Sequence, residues 1–138
     1  MVEKGGVAIM TATTALKSAK VMGFVPTKNP KKARTFFEDV LDLKFVVDDK
    51  FALVFDANGT TLRVVTVKDF TPFQFTILGW VVSDIEKVVA SLQKKGVKFE
   101  RFSFMEQDKL GIWSAPGGAK VAWFKDPDGN TLSVSQHD

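Results

Sequence analysis

One unit occurs twice along the chain, and that repeat constrains the fold more than any other feature. In each half an apolar stretch precedes a helix-period segment, and further strand-like stretches follow. The first half reads KVMGFVPT, a helix opening at Asn29, then KFVVDD, FALVFDA and TTLRVVTV. The second reads FTILGWVVS, a helix opening at Asp84, then VKFERFSF, LGIWSAP, KVAWFKD and NTLSVSQ. Aligning Asn29 with Asp84 pairs Met22 with Ile77. Aligning Gly59 with Gly129 pairs FDANGTTLRVV (55–65) with KDPDGNTLSVS (125–135). Two copies of a mixed unit do not make a solenoid, which stacks many. The pattern predicts an α+β fold of two pseudo-twofold-related βαβββ modules in one domain. The expected boundaries are an N-terminal arm 1–20, a first module 21–67, a linker 68–74 and a second module 75–138.

Both helices carry start signals. Asn29 suits an N-cap and Pro30 the first helical position. Ala33, Phe36, Phe37, Val40 and Leu41 then recur at steps of three and four, giving one apolar face. Asp84 caps the second helix, Ile85, Val88, Val89 and Leu92 form its stripe, and Gly96 ends it.

Composition removes several chemistries. No Cys is present, which excludes disulfides, thiolate nucleophiles and Cys-ligated metals. The single His, His137, is the second-last residue. The net charge of +3 is modest and Lys is spread along the chain, so no nucleic-acid partner is expected. No apolar run reaches the ~18 residues of a membrane span. Residues 1–20 show no ordered signal-peptide regions, so the expected location is cytoplasmic.

The FFEDVLDLKF helix-to-strand run and the WFKDPDGNTLSV ending, set in a βαβββ repeat, resemble the vicinal oxygen chelate superfamily. That superfamily includes glyoxalase I, bleomycin-resistance proteins, extradiol dioxygenases and fosfomycin-resistance enzymes. The resemblance covers roughly 21–136. It implies two modules whose sheets curl around one cleft. It also implies that metal enzymes of this kind place ligands on the first and last strands of each module. Carried over one at a time, those positions fall on Met22, Arg63, Ile77 and Ser133. A thioether, a guanidinium, an alkyl group and a hydroxyl make a poor set for a divalent transition metal. The expectation is therefore no metal and no cofactor.

Strand parity assigns what should line such a cleft, because side chains alternate faces. Met22, Phe24 and Pro26 face inward, as do Thr61, Arg63 and Val65, then Ile77, Gly79 and Val81, then Thr131, Ser133 and Ser135. Arg63 is either a bidentate site for an anionic or carbonyl-bearing ligand or the partner of a nearby carboxylate. Glu106, in the longer second-module segment, is either a general acid–base over the cleft or a solvated hairpin tip. Trp113 and Trp123 either stack a planar ligand or pack inside. Lys28, Lys31, Lys32 and Arg34 form a cationic helix start, a solvated face that an acidic partner could also use.

Three functions fit. The first is a metal-independent binder of a small organic ligand, anionic or planar, as the bleomycin-resistance branch implies. Its binding residues would be Met22, Phe24, Arg63, Ile77, Ser133, Trp113 and Trp123, in a homodimer. The second is a lyase or isomerase of the glyoxalase type that uses Arg63 and Glu106 in place of a metal; a dioxygenase is disfavoured. The third is an interaction protein with a collapsed cleft.

Overall fold

A computed structural model describes residues 15–138. Of the expected N-terminal arm, residues 1–14 lie outside the described part, and Leu16–Ser18 form a single 3₁₀ turn.

Each half builds one four-stranded mixed sheet. The first holds β1 (Met22–Thr27), β2 (Lys44–Asp48), β3 (Ala52–Ala57) and β4 (Thr60–Thr66), in the order β1-β4-β3-β2. The second holds β5 (Leu78–Val81), β6 (Trp113–Ser114), β7 (Lys120–Lys125) and β8 (Thr131–Gln136), in the order β5-β8-β7-β6. The first strand of each pairs in parallel with the last, and the remaining pairs are antiparallel. This is the expected α+β fold of two βαβββ units. No helix among the described residues is long and apolar enough to cross a membrane.

The repeat holds at the level of single residue pairs. Phe24 stands opposite Arg63, and the aligned pair Gly79 opposite Ser133. Val25 opposite Val64 matches Trp80 opposite Val134. Before the hairpin turns, however, the ungapped alignment of 55–65 with 125–135 is one residue out. Phe55 faces Leu62 whereas Phe124 faces Leu132, so Phe55 corresponds to Phe124, not to Lys125. The cause is turn chemistry. Asn58 and Gly59 both take positive φ, the two-residue hairpin form. The second turn is longer and closes around Asp126, whose carboxylate accepts from the backbone N–H of Asp128 and Asn130 and from Asn130 Nδ2, each at 2.9 Å.

The helices form where the caps predict. The Asn29 side chain accepts from Lys32 N–H, and the Asp84 side chain accepts from Lys87 N–H. α1 (Pro30–Thr35) does not continue as an α-helix to Leu41; Phe36–Val40 widen into a π-helical turn closed by Leu41 N–H to Phe36 O. A wider turn advances fewer degrees per residue, and the adjacent Phe36 and Phe37 both reach the interior. Phe37 packs on Phe55, with ring centroids 5.8 Å apart, and Phe36 on Phe124, at 6.4 Å. α2 (Ile85–Lys94) buries Ile85 and Val89. One buried cluster unites these helix faces with Val25, Leu62 and Val64 of the first sheet and Phe124, Leu132 and Val134 of the second.

Two expected strands do not form as read. VKFERFSF (97–104) contributes only an isolated bridge, Phe99 to Phe124. Its backbone is claimed by a side chain instead: Gln107 Oε1 accepts from Phe102 N–H, and its Nε2 donates to the carbonyls of Glu100 and Gly111. LGIWSAP shrinks to Trp113–Ser114, because the Asp108 carboxylate takes the N–H groups of Leu110 and Ile112.

Candidate functional site

The helix-side faces of both sheets form the core, so the opposite faces are available for binding. On the first sheet Met22 and Phe24 are exposed, and Thr61, Arg63 and Val65 are half-buried. Arg63 is engaged: its Nη2 meets Asp49 Oδ2 at 2.8 Å. Asp49 Oδ1 also accepts from the N–H groups of Phe51 and Ala52 at the β2–β3 turn. These backbone bonds, with the Arg63 guanidinium, hold the Asp49 carboxyl below its ordinary value of 3.8. Arg63 therefore clamps a hairpin end, the carboxylate-partner role that its position left open.

The second sheet is different. Trp123 stands opposite Ser133, which puts both on the face away from α2. Four rings run together there. Trp113 and Trp123 centroids are 6.0 Å apart, Phe102 meets Trp123 edge-on at 5.6 Å, and Phe102 and Phe104 are 5.5 Å apart. A hollow of about 360 Å³ opens beside them, lined by Phe75, Glu100, Phe102, Phe104, Trp123 and Lys125 among others. That volume falls in the range of small-molecule sites.

Ser133 lies beside Trp123 on the adjacent strand and is 8% exposed. Among the described residues its hydroxyl has no hydrogen-bond partner, whereas the neighbouring Thr131 hydroxyl donates to the Phe73 carbonyl at 3.2 Å. Gly79 stands opposite Ser133, and a Cβ there would come within 2.8 Å of Ser133 Oγ. The missing side chain leaves the hydroxyl a notch. A buried polar group without a partner is costly, so such a group marks a place where a ligand or water is taken up.

Within each sheet, some of the residues expected in the cleft are neighbours. Phe24 and Arg63 are neighbours on the first sheet, with Met22 two residues along β1. Trp113, Trp123 and Ser133 are neighbours on the second. Ile77, which parity turned toward the cleft, packs against the buried cluster. Glu106 is exposed in a different hollow with Gln107, Asp108 and Trp113. Phe75, Phe102 and Phe104 were not singled out from sequence. Reading 97–104 as a strand hid the two at 102 and 104, and Phe75 was read as the start of β5.

A divalent metal does not fit the carried-over positions. The guanidinium of Arg63 is paired with Asp49, Ile77 is packed, and Met22 and Ser133 alone cannot complete a coordination shell. Among the described residues no three His, Cys, Asp or Glu side chains gather.

The modules are tied by the DPDGN turn. Asp128 accepts from the Thr27 hydroxyl at 2.6 Å and from Lys28 N–H at 2.8 Å, and Asn130 Nδ2 donates to the Pro26 carbonyl. Burial pushes the Asp126 carboxyl up, against the opposing hydrogen bonds from Asn130 and Asp128.

Residues 17–134 match the model of the glyoxalase/bleomycin resistance protein/dioxygenase superfamily, and the chain belongs to that family. Its fold is similar to that of a superfamily member from Sphaerobacter thermophilus, at 17% identity and a TM-score of 0.69, over 89% of this chain and all of that one. Lactoylglutathione lyase from Agrobacterium tumefaciens aligns at 13% identity and a TM-score of 0.65, over 86% of this chain and 93% of that one. The oxidase ChaP-H2 aligns at 18% identity and a TM-score of 0.66, over 87% and 95%. A lyase and an oxidase on one fold mean that the fold alone does not choose a reaction. No curated protein matches the chain.

Proposed function

We propose that the protein binds a small planar organic ligand, without a metal, on the aromatic face of the second module. The observation that carries this reading is the hollow walled by Phe75, Phe102, Phe104 and Trp123, with Ser133 on the strand beside Trp123. Flat rings suit an aromatic ligand, with offset or edge contacts worth roughly 0.5–1.5 kcal/mol per pair beyond burial. The Ser133 hydroxyl supplies one hydrogen bond to a carbonyl or hydroxyl that reaches the notch beside Gly79. Lys125 at the rim favours an anionic substituent, opposed by Glu100 across the hollow.

A second copy of the chain completes the assembly in this reading. Phe24 on β1 and Val81 on β5 are exposed, and among the described residues both strands are sheet edges. Exposed apolar side chains along such edges suit a symmetric partner. Light scattering on the purified protein tests that directly.

The ligand reading is tested by titrating 2-naphthoate, with 2-naphthol as the uncharged counterpart, and following tryptophan emission. Saturable quenching that disappears in Trp123→Ala and Phe102→Ala supports it. Quenching unaffected by either variant contradicts it. A stronger response to naphthoate than to naphthol assigns Lys125 a part.

A further inference from the structure

A second cavity lies on the other side of the same sheet. It is a partly open space of about 210 Å³ between α2, the helix-side face of the second sheet and the segment after the π-helical turn. Leu41 and Leu43 reach it from the first half of the chain; Trp80, Leu92, Phe124 and Val134, among others, reach it from the second. Apart from the Trp80 indole, the lining is wholly hydrocarbon. Phe124 and Val134 at its floor are buried, whereas Leu41, Leu43 and Leu92 are half-buried, so the space communicates with solvent between α2 and the Leu41–Leu43 segment.

Such a space has little to offer water, which needs two to four polar partners to be held. An apolar cavity of roughly 150 Å³ stays dry and takes up benzene or xenon, so this one is large enough for a substituted benzene. We infer that the cavity is a binding site for a small, uncharged, apolar molecule of monocyclic aromatic size, separate from the aromatic face that would take the planar polar ligand. Trp80 and Val134 stand opposite each other in this cavity, and their chain neighbours Gly79 and Ser133 form the notch on the other face. Strand β8 therefore carries both sites, Thr131 on one face and Val134 on the other.

The test uses the wild-type chain with p-xylene as probe. The thermal midpoint should rise with the logarithm of p-xylene concentration, as for any ligand that binds only the folded state. Val88→Phe, which projects a ring from α2 into the cavity, should abolish the rise, and Trp123→Ala should keep it. Nuclear Overhauser contacts from p-xylene to the methyl groups of Leu43, Leu92 and Val134 locate the probe in the wild type, and so decide the matter even if Val88→Phe fails to fold. An unchanged midpoint, a rise that survives in folded Val88→Phe, or contacts to Phe102 and Phe104 instead would overturn the assignment. Loss of the 2-naphthoate response with p-xylene binding intact would remove the polar-ligand reading and leave this one standing.

Discussion

The hydroxyl of Thr27 donates to Asp128 Oδ2 at 2.6 Å, joining two residues 101 positions apart. Thr27 is fully buried at the end of the first strand, and its oxygen also accepts from Asn29 N–H just before α1. One carboxylate in the second module thus fixes both the end of β1 and the start of the first helix. Asp128→Asn keeps the size but removes the charge. We expect it to lower unfolding stability by about 1.5–3 kcal/mol, the range for a hydrogen bond to a charged group. Urea unfolding with an unchanged slope checks this; an unchanged midpoint contradicts it.

The pairing of Arg63 with Asp49 gives a pH dependence of known sign. Asp49 is held below its ordinary value of 3.8 in the folded chain. Its contribution to stability is fully present above that value and is lost as pH falls through the lower folded one. Arg63→Met should raise the Asp49 carboxyl toward 3.8, read by carboxyl carbon chemical shifts during an acid titration. The stability difference between wild type and variant should shrink below about pH 4. An unmoved Asp49 titration would mean that the ion pair is not formed in solution.

Gly79 and Ser133 form a pair whose coupling can be measured. Gly79→Ala puts a methyl group against Ser133 Oγ, and overpacking of this kind costs about 1 kcal/mol. In a Ser133→Ala background the clash partner is gone, so the same substitution should cost much less. A double-mutant cycle on urea midpoints reads the difference as an interaction energy. Strictly additive effects would show that the two side chains do not meet.

Glu106 discriminates a binder from an acid–base enzyme. It is exposed, in a hollow away from the Phe102–Trp123 rings. Glu106→Gln should change 2-naphthoate affinity and stability by no more than about 0.5 kcal/mol each, as for an ordinary surface substitution. A large loss of affinity would bring this carboxylate into the site.

Much of the scaffold was legible in the sequence because local signals and burial agree there. Asn29 and Asp84 announced both helix starts, and parity placed Leu62 and Val64 in the core. What was hidden depends on side chains that replace a sheet ladder. Gln107 and Asp108 satisfy the backbone of 100–112 from within, so a segment with strand-like alternation does not pair. Phe102 and Phe104 consequently gave no sign of facing Trp123. The partner of Arg63 was equally beyond periodicity, because Asp49 sits on a turn whose hydrogen bonding only the fold defines.

Calorimetric titration of 2-naphthoate into EDTA-treated protein is the most direct test of metal-free binding on the second module's aromatic face. Saturable heat with one site per chain, unchanged by added Ni²⁺, Zn²⁺, Mn²⁺ or Fe²⁺ and absent in Trp123→Ala, is the predicted result. Absence of binding heat, binding that requires an added metal, or binding retained in full by Trp123→Ala would contradict it.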